Sequence, residues 1–230
     1  MKSMIKYLSV IIITVNIVYS QTISIGLGSG INMIQGNNFY TEDFGRIGLY
    51  TQKNGTQTNF AGLGLKNEYD LSINAKIGFS SLPVIFIAQL HYLPMRGNQS
   101  VEMWDFLATH SHYENVKTIN DIWSYGFGLR YNAEFNNLYP FCSASFLINN
   151  WNNAILQFDY QEHLSTWAQY KNGIRYGYNI SMGLGYNISD LFEIEIEGSY
   201  SLLNEYNRRD GEVKMNTVNT QFKTYYTILP

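Results

Sequence analysis

The feature that most constrains this chain is a two-residue alternation of apolar and polar side chains. Along Leu191–Leu203, glutamates and serines occupy one set of alternate positions, and large apolar residues occupy most of the other. Successive side chains of a strand point to opposite faces, whereas a helix repeats every ~3.6 residues. The pattern therefore predicts strands with one apolar and one polar face. We predict them at Ile23–Asn32, Tyr69–Phe79, Val84–Met95, Trp123–Phe135, Tyr139–Asn150, Tyr176–Asn187, Leu191–Leu203 and Thr217–Leu229.

The connections between these segments alternate between short and long. The short ones are 80–83, 136–138 and 188–190, and the long ones are 34–68, 96–122, 151–175 and 204–216. An even number of strands, short turns at one end and long loops at the other are typical of bacterial outer-membrane barrels. The sequence thus predicts an all-β fold, an eight-stranded antiparallel up-and-down transmembrane β-barrel, with every long loop outside the cell.

Alternation alone leaves two kinds of barrel open. A soluble ligand-binding barrel turns its apolar faces inward, whereas a membrane barrel turns them toward lipid. Aromatic residues at both ends of the apolar faces favour the membrane barrel, because they form girdles at the two interfaces. Strand glycines lie mostly on the polar faces, where we expect them to make room for charged side chains. The expected girdles are Phe79, Phe86, Phe135, Tyr139, Tyr186 and Phe192 at the inner interface, and Tyr92, Trp123, Tyr125, Tyr176, Tyr178 and Tyr200 at the outer one.

The N-terminus has the pattern of a secretory signal peptide. Lys2 and Lys6 precede or begin an apolar run, Tyr7–Tyr19, which ends at the small residue Ser20. A retained membrane helix is the alternative, but the run is shorter than the roughly 20 residues that span a bilayer. We therefore predict that residues 1–20 are a cleaved signal peptide and that residues 21–230 form a single barrel domain.

Charge and cysteine content exclude several classes of protein. Lys2 and Lys6 are two of the fifteen basic residues, so thirteen remain in the mature chain against eighteen acidic ones, a net charge of −5. No basic patch for nucleic acid is indicated. Cys142 is the one cysteine, which rules out an intramolecular disulfide and a multi-cysteine metal site. We expect no cofactor.

Charged residues on the inward faces form the main candidate site. Glu193, Glu195 and Glu197 share the polar face of one strand, and like charges in a confined lumen need partners. An ionic and hydrogen-bonded filling of the lumen is one interpretation, because eight strands enclose little more than side chains. A narrow cation-preferring channel or a small-solute site is the alternative. The other inward charges predicted for this lumen network are Glu134, Arg130, Lys76 and Lys223.

Two weaker candidates lie elsewhere. His110 and His112 form a His-x-His pair in a long loop, a spacing that suits a metal ion although no third ligand is evident. An outer-membrane enzyme is the least favoured alternative, since no catalytic signature is present. His91, and His163 with Ser165, are its only candidate residues.

Several short segments have a recognisable style of strand and turn. They are Ala75–Ile85, Gln89–Pro94, Tyr139–Phe141, Gly183–Gly185 and Asn216–Asn219. Together they resemble the family of small outer-membrane β-barrel domains related to OmpX, OmpW and the N-terminal barrel of OmpA. The resemblance implies an architecture and no activity. One departure is the C-terminus, Ile228-Leu229-Pro230, where such barrels commonly end in an aromatic residue.

The function predicted from these features is that of an integral outer-membrane barrel with a structural or cell-surface interaction role. Its expected partners are outer-membrane lipid, lipopolysaccharide and the outer-membrane assembly machinery, and the barrel is expected to be a monomer. The long loops carry tryptophans suited to surface contact, and recognition commonly resides on such loops. These are Trp104, Trp151 and Trp167.

Overall fold

The structure, a computed structural model, is built almost entirely of strands. It describes residues 21–36, 46–52, 55–57, 65–66, 68–79, 84–105, 110–133, 135–160, 163–170, 173–208 and 214–229; side chains at 21, 46–57, 99–116, 118 and 152–170 are outside this description. The strands are β1 (Gln21–Gly36), β2 (Arg46–Gln52), β3 (Gly55–Gln57), β4 (Glu68–Phe79), β5 (Val84–Asp105), β6 (His110–Asn132), β7 (Leu138–Tyr160), β8 (His163–Tyr170), β9 (Gly173–Asn187), β10 (Phe192–Tyr206) and β11 (Met215–Leu229).

Eight of these strands close into a ring. The order around it is β1, β4, β5, β6, β7, β9, β10 and β11, and β11 pairs again with β1. Every neighbouring pair in the ring is antiparallel. Closure leaves the ring without an unpaired edge, which removes the usual route to edge-to-edge association. The predicted fold class, an eight-stranded antiparallel up-and-down barrel, is confirmed.

The two ends of the barrel differ as predicted, but the long connections contain more sheet than expected. β5, β6 and β7 run far beyond the predicted segments, so 96–122 and 151–175 are largely strand rather than loop. β2 pairs in parallel with the end of β5, β3 pairs with β2, and β8 pairs with β7. The alternation fades there because the strands have left the apolar layer, where one face must be apolar. We call the end of the barrel that carries these strand extensions the outer end.

Short turns join the strands at the inner end. The positions between β6 and β7 are 133–137, and those between β9 and β10 are 188–191. Asn136 has a positive φ of 56°, a conformation that asparagine adopts more readily than most residues. β6 ends at Asn132, so Phe135 belongs to the turn and not to the strand predicted to contain it.

The outside of the barrel is apolar and its inside is polar. Leu27, Ile180 and Met182 are 65%, 60% and 72% exposed, while most buried residues of the strands are asparagine, serine, glutamine or charged. This is the reverse of a water-soluble protein and is the arrangement of a barrel that spans an outer membrane. The lone Cys142 also lies on the exposed face. Over the described ranges no helix is long and apolar enough to cross a bilayer.

One assignment of a side chain to a face was wrong. Tyr139, expected in the inner girdle, is 3% exposed and points into the lumen. A Cβ added at Gly185 or Gly183 would meet the rings of Tyr139 and Phe141, respectively. These two glycines make room for aromatic rings, because a ring can lie flat against a backbone without side chains. Gly28 makes room for a charged side chain as predicted, since a Cβ added there would meet Lys223.

Candidate functional site

Two cations and two carboxylates meet in the inner half of the lumen. Arg130 on β6 donates to both oxygens of Glu195 on β10, at 3.0 and 2.7 Å. Lys76 on β4 donates to Glu195 at 3.0 Å and lies 2.5 Å from Glu193. All four side chains are on inward positions, and the bidentate guanidinium pair is the strongest geometry for such a contact. We call Lys76, Arg130, Glu193 and Glu195 the ionic cluster.

Aromatic rings enclose the ionic cluster. The Tyr139 hydroxyl donates to Glu195 at 3.0 Å and also contacts Glu193. The Lys76 ammonium lies 3.8 Å from the centre of the Tyr225 ring, and the Arg130 guanidinium lies 3.5 Å from that of Phe141. A cation over a ring face gains electrostatic attraction, and the rings exclude water from the ion pairs. The cluster is therefore held in one geometry from several sides.

Lys223 and Glu197 form a second ion pair on neighbouring strands. Their charged atoms are 2.8 Å apart, although the approach is not aligned for a hydrogen bond. Lys223 on β11 has no exposed surface at all, and Glu197 is 4% exposed. With the ionic cluster this makes three cations and three carboxylates, so the formal charges cancel.

Further toward the outer end lies a polar cluster around Asp70. This carboxylate is fully buried and lies 3.1 Å from Nδ1 of His91. The side-chain amide of Gln221 donates to it at 2.6 Å, and the amide of Asn219 donates to it as well. A buried carboxylate with several donors is satisfied within the lumen. Ser72 of β4 and Ser124 of β6 lie opposite His91 in the strand register.

The outer end of the lumen is closed by apolar side chains. Met95 and Ile122 lie on inward positions in the middle of the long strands β5 and β6, and Leu203 and Met215 lie on inward positions near the outer ends of β10 and β11. None of the four is more than 1% exposed. Buried apolar side chains pack closely in protein interiors. The lumen is thus filled at its outer end, inside the ring.

The inner end, in contrast, opens into a cavity of about 780 Å³, which we call the vestibule. Lys76, Tyr139 and Glu193 reach it from the ionic cluster. Asn132 and Asn187 line its wall with amide groups. A polar cavity of this size could accept a small solute from the inner side of the barrel.

Several predicted site residues cannot be placed in this geometry. Glu134 lies outside the described residues, as do the side chains of His110, His112, His163 and Ser165. In the backbone, His110 and His112 belong to β6 and pair with Asp105 and Met103 of β5. Among the side chains that the structure does describe, no group of three or more metal-ligating residues is found.

Sequence reasoning missed the Asp70 cluster and the apolar closure. Asp70 stands on the same alternate positions of β4 as Ser72, Asn74 and Lys76, so the alternation could have identified it as an inward charge. The alternation could not have identified the apolar closure. Met95 is the last residue of one predicted strand and Ile122 precedes another, and both are apolar residues on an inward face, which the pattern predicts to be polar.

Comparison with solved structures finds similar barrels at low sequence identity. Neisserial surface protein A shares 8% identity over 90% of this chain and 96% of its own, with a TM-score of 0.48. Ail, the attachment invasion locus protein of Yersinia pestis, shares 11% identity over 91% of this chain and 98% of its own, with a TM-score of 0.40. The N-terminal β-barrel domain of OprF from Pseudomonas aeruginosa shares 11% identity over 89% of this chain and 97% of its own, with a TM-score of 0.36.

No protein-family model matches the chain, and no curated protein matches its sequence. At such low sequence identities, the similarity to these structures concerns the fold alone. The chain itself, a closed ring of eight strands with an apolar outer face, has the architecture of a small bacterial outer-membrane β-barrel.

Proposed function

We propose that the chain is an integral protein of the bacterial outer membrane whose closed barrel anchors an extracellular sheet used for contacts at the cell surface. The observation that carries this proposal is the filled lumen. Six of its ionised residues pair with one another, and buried apolar side chains lie at its outer end. A barrel of this kind is a rigid support rather than a pore.

The outer sheet supplies the surface for such contacts. The β5–β6 and β7–β8 hairpins continue the barrel wall outward, and β2 and β3 extend the sheet beside β5. Replacing residues 99–116 by a short turn removes the end of one hairpin without touching the barrel lumen. We expect this variant to assemble in the outer membrane and to lose adherence relative to the wild type at equal surface density. Normal adherence would reject the contact role of this hairpin.

Conductance in planar bilayers tests the closed lumen. We expect no current from the wild type or from Glu195→Gln, because the apolar closure remains when one carboxylate is lost. The Glu195→Gln variant must retain heat-modifiable migration, which shows that its barrel is closed. A steady single-channel current from the wild type would favour the narrow channel instead.

A second candidate function is favoured by the vestibule. Its volume and polar wall suit a small solute on the inner side, held without passage through the barrel. Asn187→Trp would narrow the vestibule from its rim and is expected to weaken any such binding. Equal retention of periplasmic solutes by both proteins, measured by mass spectrometry of the purified barrel, would remove this candidate.

The processing and assembly of the chain belong to the same proposal. Residues 1–20 are removed on export, the assembly machinery inserts the barrel, and the barrel stays a monomer because its ring has no free edge. Support for the cleavage site comes from the small residue Ser20 at the end of the apolar run Tyr7–Tyr19. N-terminal sequencing of the outer-membrane form is expected to begin at Gln21, and a start at Met1 would reject cleavage.

A further inference from the structure

The lipid-facing surface contains an apolar groove of about 560 Å³ on β1, β4, β5, β6 and β11. Its floor is low because two outward residues, Ser29 and Thr224, are small where most of this face is large. Larger side chains form its walls and its outer limit. They are Leu27, Leu71, Ile73, Leu90, Phe222, Tyr92 and Trp123.

The groove ends at the outer interface. The rings of Tyr92 and Trp123 contact each other there, with centres 4.8 Å apart and planes tilted by 37°, and both residues belong to the outer aromatic girdle predicted from the sequence. Aromatic side chains of this kind sit at the level of lipid head groups. The groove therefore lies in the outer leaflet, where hydrocarbon chains and not water are its surroundings.

Positive charge lies further out along the same two strands. Arg96 is on the outward face of β5, four residue pairs beyond Tyr92, and Lys117 is on the same face of β6, six residues from Trp123. The backbone amide of Lys66 donates to the carbonyl of Arg96 at 2.9 Å, which brings a third cation to this rim. Lys66 and Lys117 are exposed. Among the described side chains on this rim, Asp121 is the acid that faces these cations, and it contacts Arg96.

An apolar groove in the leaflet with a net positive rim above it matches an acylated, phosphorylated lipid. We infer that this surface binds lipid A, the acyl chains lying over Ser29 and Thr224 and a phosphate lying against Lys66 and Lys117. The inference rests on the proposed placement in the outer membrane. On this inference, lipopolysaccharide is a ligand bound at a defined site and not only the lipid of the surrounding leaflet.

Binding of purified lipid A to the barrel refolded in detergent micelles tests the groove, with bound lipid counted by native mass spectrometry. Ser29→Trp fills the floor, and Ile180→Trp places the same residue on β9, on the opposite side of the ring. We expect Ser29→Trp to weaken lipid A binding about tenfold and Ile180→Trp to leave it unchanged. If Ser29→Trp does not fold, Thr224→Trp fills the same floor. Equal binding by the folded groove variant and the control would overturn the site.

A second pair of variants tests the rim. Lys66→Gln with Lys117→Gln removes two of its cations and leaves the Arg96–Asp121 contact intact. Arg208→Gln with Lys214→Gln removes two exposed cations elsewhere at the outer end. We expect only the first pair to weaken binding of lipid A, and neither to alter binding of its dephosphorylated form. An equal effect of both pairs, or equal binding of phosphatidylglycerol and lipid A to the wild type, would overturn the assignment.

Fractionation separates this inference from the proposed function. Recovery of the wild type as a soluble periplasmic protein would reject membrane placement, and the lipid site with it. Variants that reach the outer membrane, migrate as closed barrels and still bind lipid A like the wild type would reject the lipid site alone.

Discussion

The guanidinium of Arg130 crosses the interior of the barrel and donates two hydrogen bonds to the carboxylate of Glu195, 65 positions away in the sequence. Arg130 lies on β6 and Glu195 on β10, with β7 and β9 between them in the ring. The contact therefore joins wall segments that share no backbone hydrogen bonds. It makes the ionic cluster a connection across the lumen as well as a filling for it.

Loss of the Glu195 charge should destabilise the barrel strongly. In Glu195→Gln, Arg130 loses its carboxylate partner while remaining buried, and breaking such a pair typically costs about 3–5 kcal/mol. Glu205→Gln is the control, because Glu205 pairs with Lys214 at the surface, where the expected cost is below about 1 kcal/mol. Urea unfolding in phospholipid vesicles measures both. Equal shifts of the two midpoints would contradict the importance of the cluster.

Lys223 and Glu197 should be energetically coupled. Each single variant, Lys223→Met or Glu197→Gln, leaves a buried charge without its partner, whereas the double variant removes both charges. The double variant is expected to be more stable than the sum of the single effects predicts, by about 1–3 kcal/mol. Lys223→Met combined with Glu205→Gln serves as the distant pair and should be additive within about 0.5 kcal/mol. Additivity of both pairs would show that the ion pair contributes nothing.

The inward glycines should tolerate a methyl group less well than an outward one. A Cβ at Gly183 would meet the ring of Phe141 and the carbonyl of Ile196, whereas a Cβ at Gly198 would have only one neighbour, at 4.0 Å. Gly183→Ala is expected to destabilise by about 1–3 kcal/mol through overpacking. Gly198→Ala should be neutral or slightly stabilising. The same urea titration compares them, and a neutral Gly183→Ala would contradict the tight lumen.

A charged residue placed on the apolar face should lower the free energy of unfolding, and more so the deeper it lies in the bilayer. Met182 lies between the two girdles and is 72% exposed, so Met182→Arg should destabilise the barrel in vesicles by about 2–4 kcal/mol. Tyr206 lies at the outer end of β10, where Tyr206→Arg should cost no more than about 1 kcal/mol. A small cost at Met182 would mean that this face does not contact hydrocarbon.

Much of this fold could be predicted from alternation, because a membrane barrel must keep one face of each strand apolar across the bilayer. β4, β9 and β11 differ from their predicted segments by only a few residues at one end. Where strands rise into water the requirement disappears, which is why the sequence predicts loops for the outer parts of β5, β6 and β7. Hydrogen-bonded pairing continues there without a pattern in the side chains.

Faces and partners within the lumen were harder to predict. Alternation gives the inward position of Glu195 but not the strand across the ring from which Arg130 reaches it. Tyr139 was assigned to the outer face because it is aromatic, although its hydroxyl contacts Glu195 inside. An aromatic residue that carries a hydrogen-bonding group fits either face, and only its place in the strand register decides.

Heat-modifiable electrophoresis of the outer-membrane fraction tests the central claim, that the mature chain is a closed barrel embedded in the outer membrane. A closed barrel resists unfolding by detergent until it is boiled, because all its backbone hydrogen bonds are internal. We predict that the protein is recovered in the outer-membrane fraction and that its band shifts on boiling. Recovery in the soluble periplasmic fraction, or the same migration before and after boiling, would contradict the account.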